Sequence, residues 1–293
     1  MVLAAAALWG ASATVARLVF RDHHVPPLTV VEVRLLVACL LMLPWLAWRG
    51  PTALRVERRD WSYLLILGLL GVAAVQGTYY YSISRLGVGP SILLQYLAPA
   101  LIVLYEVFRG RPARPRMLAA VACAVTGTAL LVGGLGHSSL HAGALDWAIG
   151  FSSAVSFAFY IVYSKRGLSR YPPPTLLFYT FLIAASFWAV VTPPWRIVAA
   201  GYGAGTWALF LTIGVGSTLV PFSLFNAGLR RLRPAETAVL ATIEPVVAIA
   251  LAALFLGEGL RGLQWIGAGL VIGATLLASA QAPDHATVVA ERL

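Results

Sequence analysis

Apolar residues in this chain come in long runs, separated by short loops that carry most of its arginines. A helix needs about 20 mostly apolar residues to cross a bilayer. Ten runs meet that requirement: about 2–20, 29–48, 61–83, 88–108, 116–135, 146–164, 174–193, 204–228, 234–256 and 262–280. The pattern predicts an all-α integral membrane protein with ten transmembrane helices.

The runs are not independent. Residues 232–280 hold an apolar helix containing Pro245, a turn at Gly257-Glu258-Gly259 and a second apolar helix. Shifted back by 146 positions, Leu232 falls on Leu86, Pro245 on Pro99 and Gly273 on Gly127. The same shift pairs Trp61 with Trp207, Gly68 with Gly214 and Thr29 with Thr175. Several landmarks at one offset imply two copies of a unit of about half the chain. We therefore expect a first five-helix repeat over 1–135, a second over 146–280 and a cytoplasmic tail over 281–293. Five helices per copy is an odd number, so the second copy enters the membrane from the opposite side. Such inverted repeats recur in secondary transporters, with the substrate held near the midplane between the halves.

Composition agrees with the bilayer reading: 60% of residues are hydrophobic and 11% are charged. The 21 Lys and Arg against 11 Asp and Glu would suggest nucleic acid in a soluble chain. Here the cations sit between apolar runs, so anionic lipid headgroups are the expected partner and nucleic acid is not. With the N-terminus inside, the cytoplasmic loops hold Arg49, Arg55, Arg58, Arg59, Arg109, Arg111, Arg114, Arg116, Lys165, Arg166, Arg170, Arg230, Arg231, Arg233 and Arg292. The opposite side holds only Arg21, Arg85, Arg196 and Arg261. Lys and Arg near span ends favour the cytoplasm, so both termini are expected there. Lys165 is the sole lysine. Cys39 and Cys123 lie inside apolar runs, where neither a disulfide nor a metal site is expected. Met1 leads directly into an apolar run with no basic region, so no cleavable signal is expected.

The chain resembles the EamA-type transporters of the drug/metabolite transporter superfamily over almost its whole length. The resemblance is carried by ALWGAS near the N-terminus, Arg34 in the second span, the Pro-containing fourth and ninth spans, LFLGE at 254–258 and IGAGLVIGATLL at 266–277. It implies an exporter or permease of small metabolites in a prokaryotic cytoplasmic membrane, without a cofactor, as a monomer or a homodimer. The first copy departs from the pattern: it reads FRGRP where the second reads FLGEG, so Arg111 stands where the family's Glu would be.

Candidate chemistry lies on the few polar residues at membrane depth, where ionisable groups are costly and serve function by default. Glu244, beside Pro245, either binds a cationic group of the substrate or takes up a proton; its counterpart in the first copy is Ala98. Arg34 either snorkels outward or faces the interior to meet a carboxylate or phosphate. Glu32, two residues away, points elsewhere on the helix. Gln95, Pro99, Ile102 and Glu106 share one helical face of the fourth span by spacing, with Tyr96 beside them. Gln76 and Tyr80 form a face on the third span that the repeat maps onto Phe222 and Asn226 of the eighth. Ser152, Ser156 and Tyr160 align on the sixth, and Trp9 and Ser12 on the first. The expected substrate-binding set is Trp9, Ser12, Arg34, Gln76, Tyr80, Gln95, Tyr96, Ser156, Tyr160, Phe222, Asn226 and Glu244. Tyr79, Tyr81, Trp45, Trp48 and Trp207 read as interfacial aromatics. Pro99 and Pro245 predict kinks, as hinges or plain bends. Gly269 with Gly273, and Cys123 with Gly127, read as helix-packing faces.

No Gly-Lys-Ser/Thr phosphate loop and no His-Glu-x-x-His helix occurs in the sequence. His23, His24, His137, His141 and His285 fall in loops or the tail. A secondary transporter working by alternating access, and exporting amino acids or related amphipathic compounds, is the leading expectation. A polytopic enzyme acting on lipid would need a nucleophile, metal ligands or a paired acid and base at depth, and a passive channel is the third reading.

Overall fold

The computed structural model describes residues 1–22, 25–132, 142–256 and 262–280, with the side chains of 13–22 and a few others excepted. The five histidines, the Glu258 turn and the tail beyond 280 lie outside the described residues. Every regular element among the described residues is helical. Nine segments are long and apolar enough to cross a membrane: Pro27–Trp48, Pro51–Leu86, Gly89–Phe108, Pro115–Val132, Ala144–Gly167, Pro173–Val191, Ala204–Leu229, Pro234–Leu251 and Gly262–Ser279. They are preceded by helix α1 (Val2–Asp22), apolar over Val2–Ser12.

Proline starts many of these helices, because its missing N–H is one the first turn does not use. Helices α2 (Pro27–Trp48), α7 (Pro115–Val132), α9 (Pro173–Val191), α10 (Pro194–Ala199) and α13 (Pro234–Ala241) all begin this way. Gly87, at φ 86°, is the single residue joining α4 (Ala74–Leu86) to α5 (Val88–Gln95), a backbone angle other residues adopt only with strain. Large apolar side chains such as Leu40, Val190, Leu254 and Leu276 face outward, as lipid contact requires. Trp48 is 84% exposed and the Arg49 guanidinium lies 4.4 Å from the Trp45 ring, so both tryptophans sit at the rim.

The repeat shows itself element by element at the 146-residue offset. Helix α2 corresponds to α9, α5 to α13, α6 (Ala98–Phe108) to α14 (Ile243–Leu256), and α7 to α15 (Gly262–Ser279). A π-helical stretch, Leu67–Ala73, follows α3 (Trp61–Ile66), and a second, Gly214–Leu219, lies between α11 (Ala204–Ile213) and α12 (Val220–Leu229) at the corresponding place. The copies are interleaved. A Cβ on Gly68 would meet Ile183 at 2.6 Å, and one on Gly214 would meet Val37 at 2.5 Å. Because 68 maps to 214 and 37 to 183, this is one contact made twice with the copies exchanged, the reciprocity a two-fold axis generates.

Two sequence expectations need correction. The fourth and ninth predicted spans are not continuous helices: α5 ends at Gln95 and α6 starts at Ala98, while α13 ends at Ala241 and α14 starts at Ile243. Pro99 and Pro245 remove the N–H that would bond the carbonyls of residues 95 and 241, so the helix breaks one turn ahead of each proline. Gln95, Pro99, Ile102 and Glu106 therefore share no single helical face.

The second correction concerns the glycines. A Cβ on Gly269 or Gly273 would meet nothing within 4 Å, and Gly269 is exposed. The close approach is made by Gly267, two residues earlier and on the other side of α15: its Cβ would lie 2.7 Å from the Gly127 carbonyl oxygen of α7. The face of α15 that meets α7 runs through Gln264, Gly267, Val271, Ala274 and Ala278, all buried.

Lys165 also finds a structural role. Its ammonium, near the end of α8 (Ala144–Gly167), donates to the carbonyls of Leu229, Arg230 and Leu232 at 2.8, 2.9 and 2.8 Å. Helix ends leave carbonyls without donors. All three ammonium protons are spent satisfying those that follow α12, which ties α8 to the α12–α13 turn.

Candidate functional site

Prolines inside spans shape the interior by leaving carbonyls without partners. In α-helical register the Ser217 carbonyl would accept from residue 221, but that residue is Pro221. Ser217 lies in the π-helical stretch, and its carbonyl oxygen accepts instead from Trp9 Nε1 of α1 at 3.1 Å and from Arg34 Nη2 of α2 at 2.8 Å. Arg34 Nε donates to Thr218 Oγ1 at 2.6 Å, and Nη1 donates to the Tyr80 hydroxyl of α4. Arg34 is 5% exposed, so its guanidinium faces inward rather than snorkelling. All three of its acceptors are neutral. A guanidinium has five N–H donors; three are engaged and fix its plane.

A parallel arrangement surrounds Pro245. The Ala241 carbonyl, whose α-helical donor would be residue 245, is met by the Tyr96 hydroxyl at 3.1 Å. Tyr96 stands in the break between α5 and α6, and its hydroxyl is also 2.6 Å from Glu244 Oε2. The breaks of the two copies thus meet face to face. Helix α1 comes close enough to complete this region because Gly10 has no side chain: a Cβ there would lie 2.6 Å from the Glu244 carbonyl oxygen and 3.0 Å from the Ala248 nitrogen. Gly10 is the glycine of ALWGAS, which gives that stretch a packing reason.

Aromatic rings extend the Arg34 group. Trp9 packs edge-on against Phe222 at 5.1 Å and lies 5.4 Å from Phe225; Tyr160 of α8 meets Phe222 at 5.9 Å. Asn226 Nδ2 donates to the Tyr160 hydroxyl at 2.6 Å and to the Phe222 carbonyl of its own helix at 2.9 Å. Its Oδ1 is buried without a hydrogen-bond partner, as are Gln76 Nε2 and Gln95 Oε1. Buried polar atoms are normally paired; Glu32, Thr128, Ser164 and Glu236 also carry unpartnered ones.

The structure therefore brings Trp9, Arg34, Tyr80, Tyr96, Tyr160, Phe222, Asn226 and Glu244 into two groups drawn from both copies. Gln76 is buried on α4 one turn before Tyr80. Ser12 donates to the Leu8 carbonyl of its own helix at 2.7 Å, and Ser156 is half-buried on α8. Sequence reasoning did not select Ser217, Thr218 or Ala241. Pro221 and Pro245, each four residues beyond a released carbonyl, were the available signal. Glu32 is fully buried on α2, and neither of its carboxyl oxygens has a hydrogen-bond partner among the described residues.

Two interleaved helical repeats, broken in matched spans around a buried polar cluster, are the architecture of a polytopic membrane transporter. The chain belongs to the EamA-like transporter family, which matches residues 1–133 and 147–280. It is similar to the uncharacterized inner membrane transporter YicL of Salmonella typhimurium, 27% identical over 288 residues that span 95% of this chain and 93% of that one. The threonine/homoserine exporter RhtA of Salmonella typhimurium is 26% identical over 250 residues, spanning 84% and 80% of the two chains. A crystal structure of a protein with 21% sequence identity superposes with a TM-score of 0.78 and covers 96% of each chain, which shows the fold.

Proposed function

We propose that this protein is a secondary transporter that exports zwitterionic amino-acid-like metabolites across a prokaryotic cytoplasmic membrane, by alternating access at a cavity between two inverted five-helix repeats with both termini cytoplasmic. The observation that carries the reading is that the interior holds an anchored cation, Arg34, and an acid, Glu244, each hydrogen-bonded to neutral partners. A zwitterion presents a carboxylate and an ammonium, and these two side chains are its complement. Arg34 keeps N–H groups free to meet the carboxylate, and Glu244 meets the ammonium. Trp9, Tyr160 and Phe222 form an apolar wall for the rest of the molecule. The relative named for threonine and homoserine export supports the same substrate class.

Alternating access finds support in the matched helix breaks at residues 96–97 and 242, one in each repeat. Glu244 has a second role in this scheme: when no ammonium is bound it takes a proton, so proton and substrate compete for one carboxylate. The test is counterflow in proteoliposomes loaded with unlabelled threonine or homoserine. Wild-type protein accumulates the labelled amino acid, and Arg34→Gln and Glu244→Gln accumulate at least about tenfold less, the loss of one charged contact. Failure of every zwitterionic amino acid to exchange would reject the substrate class.

A further inference from the structure

A cavity lies between the start of α3 and the end of α8. It has a volume of about 230 Å³ and is lined by Arg59, Tyr63, Ile66, Tyr163, Arg166 and Arg170, among others. Its floor is built closely. Tyr63 donates to the Tyr163 carbonyl at 2.6 Å and its ring stacks on that of Tyr163 at 4.6 Å. A Cβ on Gly167 would lie 2.5 Å from the Tyr63 hydroxyl, so the glycine is what lets the phenol reach.

The charges around the cavity do not cancel. Asp60 is buried and already satisfied, accepting from Arg170 Nη1 at 2.7 Å and from the Tyr171 hydroxyl at 2.6 Å. Arg59 contacts Glu57 at 2.6 Å, but both side chains are more than half exposed, and such pairs hold weakly in water. Arg166 has no partner among the described residues. A cavity with one unpaired guanidinium, a second loosely paired one and the hydroxyl of Ser62 at its edge is a site for a singly charged phosphate group.

Its position indicates where that phosphate comes from. Arg166 sits in the last turn of a membrane-crossing helix, at headgroup height, and Ile66, 41% exposed, continues the cavity wall down the lipid-facing side of α3. A soluble phosphate compound would have no use for that apolar flank, whereas a phospholipid has acyl chains to lay along it. We propose that this cavity binds the headgroup of an anionic phospholipid, with its phosphate between Arg166 and Arg59 and its chains against Ile66. The site rests on the membrane placement of the chain alone and is independent of the transported substrate.

Full-length protein in a neutral detergent, titrated with phosphatidylglycerol or phosphatidylcholine and followed by native mass spectrometry and thermal unfolding, tests the proposal. Phosphatidylglycerol is expected to be retained preferentially and to raise the unfolding midpoint. An Arg59→Gln/Arg166→Gln double variant should weaken that retention about tenfold, while Arg109→Gln/Arg111→Gln, in a different basic loop, should leave it unchanged. These arginines are exposed, so each variant's unfolding midpoint without lipid reports directly whether folding survived. Equal retention of the two lipids, or undiminished phosphatidylglycerol retention by the Arg59/Arg166 variant, would overturn the site. Protection by sn-glycerol 3-phosphate as strong as that by phosphatidylglycerol would assign it to a soluble phosphate instead and overturn the lipid.

Discussion

The Tyr96 hydroxyl stands 2.6 Å from Glu244 Oε2 and 3.1 Å from the Ala241 carbonyl oxygen, joining the helix break of one repeat to that of the other. A phenol has one proton to donate. If it goes to the Ala241 carbonyl, the carboxyl must carry the proton that bridges the 2.6 Å contact; if Glu244 is ionised, Tyr96 turns to it and the carbonyl loses its donor. The protonation of one side chain is thereby linked to the backbone at Pro245.

Glu244→Gln is therefore expected to abolish the pH dependence of uptake in proteoliposomes while homoexchange stays measurable. Uptake that still follows pH in this variant would assign the proton to another group. Tyr96→Phe should lower stability by about 1–3 kcal/mol, the cost of leaving a buried acceptor unpaired, visible as a lower unfolding midpoint.

Arg34 is fixed by three acceptors arranged around a planar fork. Lysine keeps the charge and loses the fork. We expect Arg34→Lys to transport no better than Arg34→Gln, within about twofold, because geometry as well as charge is required. Transport by Arg34→Lys near the wild-type rate would show that charge alone suffices.

Gly10→Ala places a methyl group 2.6 Å from backbone oxygen, where no rotamer change relieves the contact. Overpacking of this kind costs about 1–3 kcal/mol, and the separation of α1 from α14 should reduce flux as well. Gly269→Ala, which meets nothing, should stay within about 0.5 kcal/mol of wild type. Comparable losses in the two variants would argue against a close α1–α14 approach.

Lys165→Met strips three carbonyls of their donor while retaining the apolar stem. A loss of about 1–3 kcal/mol is expected. Lys165→Arg should recover only part of it, since a flat guanidinium cannot point three protons at three oxygens clustered on one side. Complete recovery in the arginine variant would mean that charge, not ammonium geometry, holds the turn.

The apolar runs and the 146-residue repeat were legible in the sequence, because the bilayer demands a fixed length of apolar helix; Pro99 and Pro245 marked a kink, because proline removes a fixed hydrogen bond, and the structure turned each kink into a break between two helices. Glu244 and Arg34 were legible for a related reason: an ionisable residue at membrane depth stands out against its surroundings. What the sequence left open was direction. A membrane helix is apolar towards lipid and towards its neighbours alike, so no contrast marks the packed face; the small-residue spacing pointed to Gly269 and Gly273, whereas α7 lies on Gly267. The partners of Arg34 were hidden for the same reason, since they include a backbone carbonyl that residue identity does not reveal. Only the tertiary structure, by laying the π-helical stretch before Pro221 across α1 and α2, decided that Trp9 and Arg34 would share the oxygen of Ser217.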